Sequence, residues 1–386
     1  MSELFDPLFG MDAVAAVTDD QAWLSALCET ETALARACAR AALIDLPTAL
    51  EIGSACERVA SGDPAELGRR AVAGGNPVIP LVAELREQVA KRAGDAAADA
   101  VHLGATSQDV HDTATMLITR RALDVLLPDL AACADACADL ARTHRDSPMA
   151  GRTLLQLAAP TTFGALAAGW GSALDRAHAR LTGLRAALPV QLGGAVGTLS
   201  ALHPKGPEVL AAFADELGLA DPGAPWHTDR TTITELAGAL GTCAAAVAKI
   251  AGDVVLLAQN EVAELQEAQP GGSSAMAHKQ NPIAAVTARA AAAQAPGLVA
   301  TLFAAAAPEL QRGAGPWHAE WPALTGLLRA TGGAAARLRA SLTGLRVDTD
   351  AMATNLAALS GNSGIGHAGE FVDRYLDGRR SAGRHE

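Results

Sequence analysis

The chain has few aromatic residues: Phe, Trp and Tyr make up 3% of its 386 residues, with a single Tyr. A core without large rings must be filled by Ala, Leu and Val, which lets helices approach closely. Alternating apolar and polar runs are nearly absent, so little sheet is expected. Positive charge is also scarce, with 30 Lys and Arg against 42 Asp and Glu and a net charge of −12. That balance argues against nucleic acid as a partner. The six Cys form no CxxC pair. Cys133 and Cys137 share a helical face and read as buried thiols, in keeping with a reduced cytoplasmic compartment. HExxH, GxxxxGK[ST] and a strand-borne GxGxxG are missing. No His, Asp or Glu cluster has metal-ligand spacing, so neither a metal nor a nucleotide cofactor is expected. The N-terminus, Met1-Ser2-Glu3-Leu4-Phe5-Asp6, lacks the charge pattern of a signal peptide. The apolar stretch 283–307 is interrupted by Arg289, Gln294 and Pro296. It therefore reads as a core helix of a bundle, and no membrane partner is expected.

Helical periodicity dominates what is present. Residues 20–60 read as two helices broken near Pro47, and 78–92 as another. A long pattern spans 109–143 with a kink expected at Pro128, and another spans 160–187. Residues 193–207 are Gly/Pro-rich and read as a crossover. The longest pattern runs over 232–267, and two further helices reach about residue 345. The tail is broken by Gly361-Asn362-Ser363-Gly364-Ile365-Gly366 and reads as disordered from Arg379. Helices of this length in succession predict an all-α fold with an elongated central bundle of long helices. The expected division is a small helical N-terminal domain (1–108), the bundle (109–345) and a shortened C-terminal helical piece (346–386).

The densest chemistry lies in Gly272-Ser273-Ser274-Ala275-Met276-Ala277-His278-Lys279-Gln280-Asn281-Pro282. Two hydroxyls, an imidazole, an ammonium and an amide sit between two apolar-periodic segments. Asn281 reads as an N-cap and Pro282 as the first helical residue. Free N–H donors near Lys279 would then favour an anion. Gln269-Pro270-Gly271-Gly272 supplies the hinge of a possible lid. A second segment, His102-Leu103-Gly104-Ala105-Thr106-Ser107-Gln108-Asp109, read alone is an N-cap cluster. Its Thr106 and Ser107 hydroxyls suit a carboxylate. A third runs Gly151-Arg152-Thr153-Leu154-Leu155-Gln156, then Pro160-Thr161-Thr162. Trp226-His227-Thr228-Asp229-Arg230 and Gly315-Pro316-Trp317-His318-Ala319-Glu320-Trp321 complete the set, with the two Trp around His318 as packing anchors.

Together these segments resemble, in order, the motifs of the fumarase/aspartase superfamily: HxGxTSxD, RTHxQxAxPxT and GSSxMPxKxNP. Two departures stand out. Ala277 replaces a Pro, which loosens the loop. Leu154 replaces the His that serves acid–base chemistry at the leaving group of the superfamily's C–N and C–O lyases. A leucine transfers no proton, so the resemblance narrows to the cycloisomerase branch. There the substrate's own carboxylate, already ionised at neutral pH, adds across a double bond. The resemblance implies lactonising cycloisomerisation of 3-carboxy-cis,cis-muconate to carboxymuconolactone, in protocatechuate breakdown. It implies that Ser273 exchanges the proton with carbon and that Lys279 stabilises the alkoxide. By the same resemblance His102, Thr106, Ser107, Arg152, Gln156, His227, Arg230, His278 and Asn281 contact a small tricarboxylate. A homotetramer with active sites shared between subunits is implied as well. A C–N lyase of the adenylosuccinate or argininosuccinate type and a catalytically silent scaffold are the alternatives.

Overall fold

The computed structural model describes residues 4–276, 278–359 and 364–382. The Pro-to-Ala departure at Ala277, the first half of the Gly-rich tail break, the first three residues and the last four lie outside them. The fold is all-α, as the periodicity predicts. The N-terminal part holds α1 (Asp12–Ala16), α2 (Asp20–Arg40), α3 (Leu46–Ala60), α4 (Pro64–Ala71), α5 (Val78–Ala93) and α6 (Asp95–Ala98). The bundle is built from α7 (Ser107–Thr143), α8 (Phe163–Ala186), α9 (Gly206–Leu217), α10 (Thr231–Leu257), α11 (Ile283–Ala292), α12 (Ala295–Ala304) and α13 (Pro316–Leu342). The tail adds α14 (Thr349–Ala357) and α15 (Ala368–Ala382).

Local sequence explains most boundaries. Asp19 caps α2 by accepting from the Ala22 N–H, and Asp45 caps α3 through Thr48, with Pro47 in the first turn. α7 opens with a reciprocal capping box between Thr106 and Asp109. It runs 37 residues with Pro128 inside it, so the proline does not end the helix, and α7 rather than α10 is the longest. α7 packs along α8 and α13, and α10 along α8, α11 and α13. Their contact faces are mostly small: Ala114, Ala138, Ala141, Ala167, Ala237, Ala244, Ala251 and Ala334 are all buried. Cys133, Cys137 and the other four thiols are free and buried, as expected. Burial pushes the Cys137 thiol up to about 12, which keeps it protonated and inert.

Four differences from the sequence expectation have physical causes. Residues 148–162 form an antiparallel hairpin, β1 (Pro148–Thr153) and β2 (Gln156–Thr162), bulged between Ala150 and Arg152. Its Gly and Pro residues hide the alternation that would announce it. A short pair, β3 (Leu265–Gln266) with β4 (Arg346–Val347), ties the chain before the signature loop to the chain after α13. The stretch 283–304 is two helices, because Pro296 sits in the first turn of α12. Lastly, α15 continues through Arg379 instead of fraying there. Arg379 donates to the Ala134 carbonyl and to Asp135, and Arg145 grips Asp373 at 2.8 and 2.6 Å. Tyr375 lies against Gly171, where a Cβ would come within 1.9 Å of its hydroxyl oxygen.

Less than half of the apolar windows in α10 and in 283–304 is buried within one chain. Val286 and Phe303 stand out among the exposed side chains of the second stretch.

Candidate active site

The sequence-predicted residues fall into two groups at opposite ends of the bundle. At the start of α7, the Asp109 carboxylate accepts from the N–H groups of Thr106, Gly193 and Gly194, each at 2.9 Å. His227 Nε2 donates to the same carboxylate at 2.6 Å. Asp109 therefore ties the 102–108 turn to the 193–194 turn and to the chain entering α10. Gly104 has a left-handed φ of 71°, and a Cβ there would lie 2.3 Å from Leu202. Only glycine lets the turn close this tightly. Ser107 and His102 sit half-buried at its rim, while the Thr106 side chain is spent on the cap.

Directly beneath lies a buried ion network. Arg230 donates through Nη1 and Nη2 to Asp112 at 2.8 and 3.1 Å. Through Nε and Nη2 it donates to Glu320 at 3.0 and 2.6 Å. Trp317 Nε1 adds a bond to Asp112 at 2.9 Å, and Gln108 one at 3.1 Å. The Trp226 ring stacks 4.8 Å from the guanidinium. Burial disfavours ionised Asp112, but Arg230 outweighs it and holds the carboxyl below its usual range. For Glu320 burial wins and its pKa is raised. Arg230 and His227 are both buried, Arg230 against Asp112 and Glu320 and His227 against Asp109. Within one chain these bonds hold α7, α10 and α13 in register.

The second group gathers beyond the far end of α10. Arg152, on β1, forms a bidentate pair with Glu264 at 3.0 and 2.8 Å. Glu264 has no exposed side-chain surface and also accepts from Asn355 at 2.8 Å. Arg152 is thus charge-compensated, with its side chain 19% exposed at the wall of a cavity of about 630 Å³. Gln156 is exposed at the start of β2. The signature loop is pinched at its base by the Gly271–Asn281 pair, 2.8 and 2.9 Å. Ser273 Oγ accepts from the N–H groups of Ala275 and Met276 at 3.3 and 3.2 Å. His278 and Lys279 are exposed.

Asn281 does not cap α11. Its amide donates to the Gly272 carbonyl at 3.1 Å, and the helix starts at Ile283. The free N–H groups of Ala284 and Ala285 go instead to the buried carboxylate of Glu267, at 3.1 and 2.8 Å. The helix end already holds its anion, so the expected anion site there is filled by the protein itself.

One chain cannot bring the two groups together. α10 begins at Thr231, next to Arg230, and its last residue accepts from the Glu264 N–H. Its 27 residues span about 40 Å at 1.5 Å per residue. Ser273, Lys279 and Arg152 therefore stand a bundle length from His102, Thr106 and Ser107.

Sequence reading missed several participants. Glu31 is an acid on an apolar helix stripe, Leu24, Leu27, Glu31, Leu34, and that misfit was its one signal, while Glu264 and Glu267 flank β3 outside any helix. Arg312 donates to the Gly194 and Ala195 carbonyls at 3.3 and 2.9 Å beside the 102–108 turn. Among the described residues no cluster of His, Cys, Asp and Glu has metal-binding geometry.

The hairpin tip carries the remaining departure. Leu154 and Leu155 both adopt left-handed φ, 53° and 64°, and Leu154 is 96% exposed. Two leucines in this region are strained, and most of their apolar surface is exposed in one chain.

Comparison with known proteins places the chain in a family. The model of a family described as Lyase matches residues 9–297. The 3-carboxy-cis,cis-muconate cycloisomerase of Bradyrhizobium diazoefficiens is 46% identical over 365 residues, 94% of this chain and 80% of that protein. The nitrosuccinate lyase of Streptomyces davaonensis is 45% identical over 93% of this chain and 78% of its own length. Among solved structures, the 3-carboxy-cis,cis-muconate lactonizing enzyme of Pseudomonas putida superposes with a TM-score of 0.87 at 36% identity. That match covers 100% of this chain and 89% of the other.

Proposed function

Because the chain belongs to this lyase family of the fumarase/aspartase superfamily, we propose that it is a cycloisomerase converting 3-carboxy-cis,cis-muconate to carboxymuconolactone. The observation that carries the reading is Leu154. At the tip of the Arg152 hairpin, where a proton donor or acceptor would serve a leaving group, the chain presents a hydrocarbon. Lactonisation has no need of that proton. One substrate carboxylate, ionised at neutral pH, adds its oxygen to the conjugated C=C. The electron pair moves toward a second carboxylate as an enolate, and a proton is then delivered to the adjacent carbon. Ser273 is assigned that delivery. Two loop N–H groups aimed at its Oγ, with Lys279 nearby in the loop, favour the alkoxide left behind.

The split between the two groups supports a homotetramer in which a complete site takes its halves from different chains. The uncovered apolar faces of α10 and 283–304 support it as well. His102, Thr106 and Ser107 then face Ser273, His278 and Lys279 of other subunits, with Arg152, Gln156 and Asn281 shaping the wall. A cytoplasmic location belongs to the same proposal.

A second reading has one observation in its favour. A relative of 45% identity is named for nitrosuccinate, and nitrite, the anion of an acid ionised at neutral pH, also departs without a proton. Leu154 fits both. Purified protein is to be mixed in parallel with 3-carboxy-cis,cis-muconate, nitrosuccinate and adenylosuccinate. Loss of the diene absorbance alone is the expected result. Nitrite release with the diene untouched would replace the cycloisomerase by the lyase.

Leu154→Gly separates strain from function. Relief of left-handed strain is worth about 1 kcal/mol. The expected outcome is a melting temperature held or raised while turnover falls. A lower melting temperature with unchanged turnover would assign the tip to packing alone.

A further inference from the structure

We propose that Glu31 is a positioning residue for substrate binding: it fixes His102 through Nδ1 and leaves Nε2–H to hold one carboxylate of the substrate. The proposal rests on the polycarboxylate reading above and deepens it. Glu31 sits on the apolar stripe of α2, and its side chain has no exposed surface. Its Oε1 lies 2.6 Å from His102 Nδ1, and its Oε2 has no hydrogen-bond partner among the described residues. A buried carboxylate with one oxygen unsatisfied is a poor device for stability. Among the described residues its one hydrogen-bonded side-chain partner is the imidazole.

Three features aim that imidazole outward. The carboxylate only accepts, so Nδ1 carries a proton, and the ring's other nitrogen points away from Glu31. The His102 backbone is left-handed, φ 62°, a conformation rare for a residue with a Cβ. The side chain keeps 13% of its surface exposed at the rim that also carries Ser107. A small anion therefore reaches Nε2 while the rest of the ring stays buried.

The charge balance of the site calls for such a group. Of the cations expected to meet three carboxylates, Arg152 is neutralised by Glu264 and Arg230 by Asp112 and Glu320. Lys279 belongs to the opposite half. At the α7 end Arg312 keeps its charge while spending Nη2 on two carbonyls, and His102 adds a titratable group at the rim. Burial lowers the proton affinity of its ring, but Glu31 on α2 outweighs that, helped by Asp109 on α7 and opposed by Arg86 on α5. The net pKa is raised above 6.5. The pair accordingly stabilises the fold fully below about 6.5, and that contribution is lost as pH rises through the raised value.

The test is Glu31→Gln, read by ¹⁵N NMR of labelled histidine and by the pH dependence of KM. His102→Gln identifies the resonance. Wild-type His102 is expected to titrate above 6.5, and the variant lower. KM, measured with whichever polycarboxylate is turned over, is expected to rise roughly tenfold near neutral pH. It should return to the wild-type value in acid, with kcat changed far less. A KM change independent of pH, or an identical titration in both proteins, overturns the proposal. Should Glu31→Gln fail to fold, the wild-type titration decides: a midpoint at or below 6.5 overturns it. The titration needs no substrate, so a failure of the muconate reading remains distinguishable from a failure of the Glu31–His102 pair.

Discussion

Ser273→Ala is expected to lower kcat on the order of 10³-fold or more, with assembly and melting temperature unchanged. The stability half follows from where the residue sits. Ser273 lies in a loop closed at its base by Gly271 and Asn281, and among the described residues its hydroxyl bonds only to the N–H groups of Ala275 and Met276. Removing it strands no buried group and breaks no helix. The catalytic half follows from the acidity of an alcohol. A serine hydroxyl gives up its proton only where the oxygen's negative charge is met, and two loop donors are aimed at it. Turnover within tenfold of wild type would refute the serine's role. The same variant tests the shared site. Mixed after dissociation with an inactive Ser107→Ala chain, it should regain part of the lost activity, because some hybrid sites combine an intact loop with an intact turn. No recovery would mean that one chain builds the whole site, against the roughly 40 Å that α10 sets between its ends.

What was legible in the sequence was local. The capping box at Thr106 and Asp109, the helix start at Pro47 and the Ala-rich helical faces each depend on residues a few positions apart. The structure follows them. The signature motif was legible in the same sense, since it fixes which side chains the loop carries. What it left open was which groups those side chains would meet. Arg152 and Arg230 stood in family motifs as free cations, yet their partners Glu264, Asp112 and Glu320 come from distant segments. Asn281 and Pro282 read as a helix start by propensity, but a buried carboxylate seventeen positions earlier than Ala284 claimed the N–H groups. In each case a long-range acid overrode a short-range pattern.

Arg230→Met carries the second large effect, and it falls on stability. The variant leaves Asp112 and Glu320, with side chains 1% and 4% exposed, facing each other without a cation. Breaking a buried pair by removing one partner costs on the order of 3–5 kcal/mol. The midpoint of chemical denaturation, at fixed protein concentration, is expected to fall accordingly. The pH dependence supplies the sign. Glu320 is already raised, chiefly by burial with Arg230 opposing, and without the guanidinium it rises further. A carboxyl raised in the folded state destabilises the fold above that pKa and ceases to do so once protonated. The deficit of Arg230→Met relative to wild type should therefore shrink as pH falls. In wild type Asp112 contributes with the opposite sign: it is held low, so its contribution is present above about 3.8 and is lost as pH falls through the lowered value. A variant that melts like wild type but shows a raised KM would return Arg230 to the substrate. A destabilised variant that recovers in acid places it where the distances do, as the buried cation that locks the half-site turn to the ends of α10 and α13.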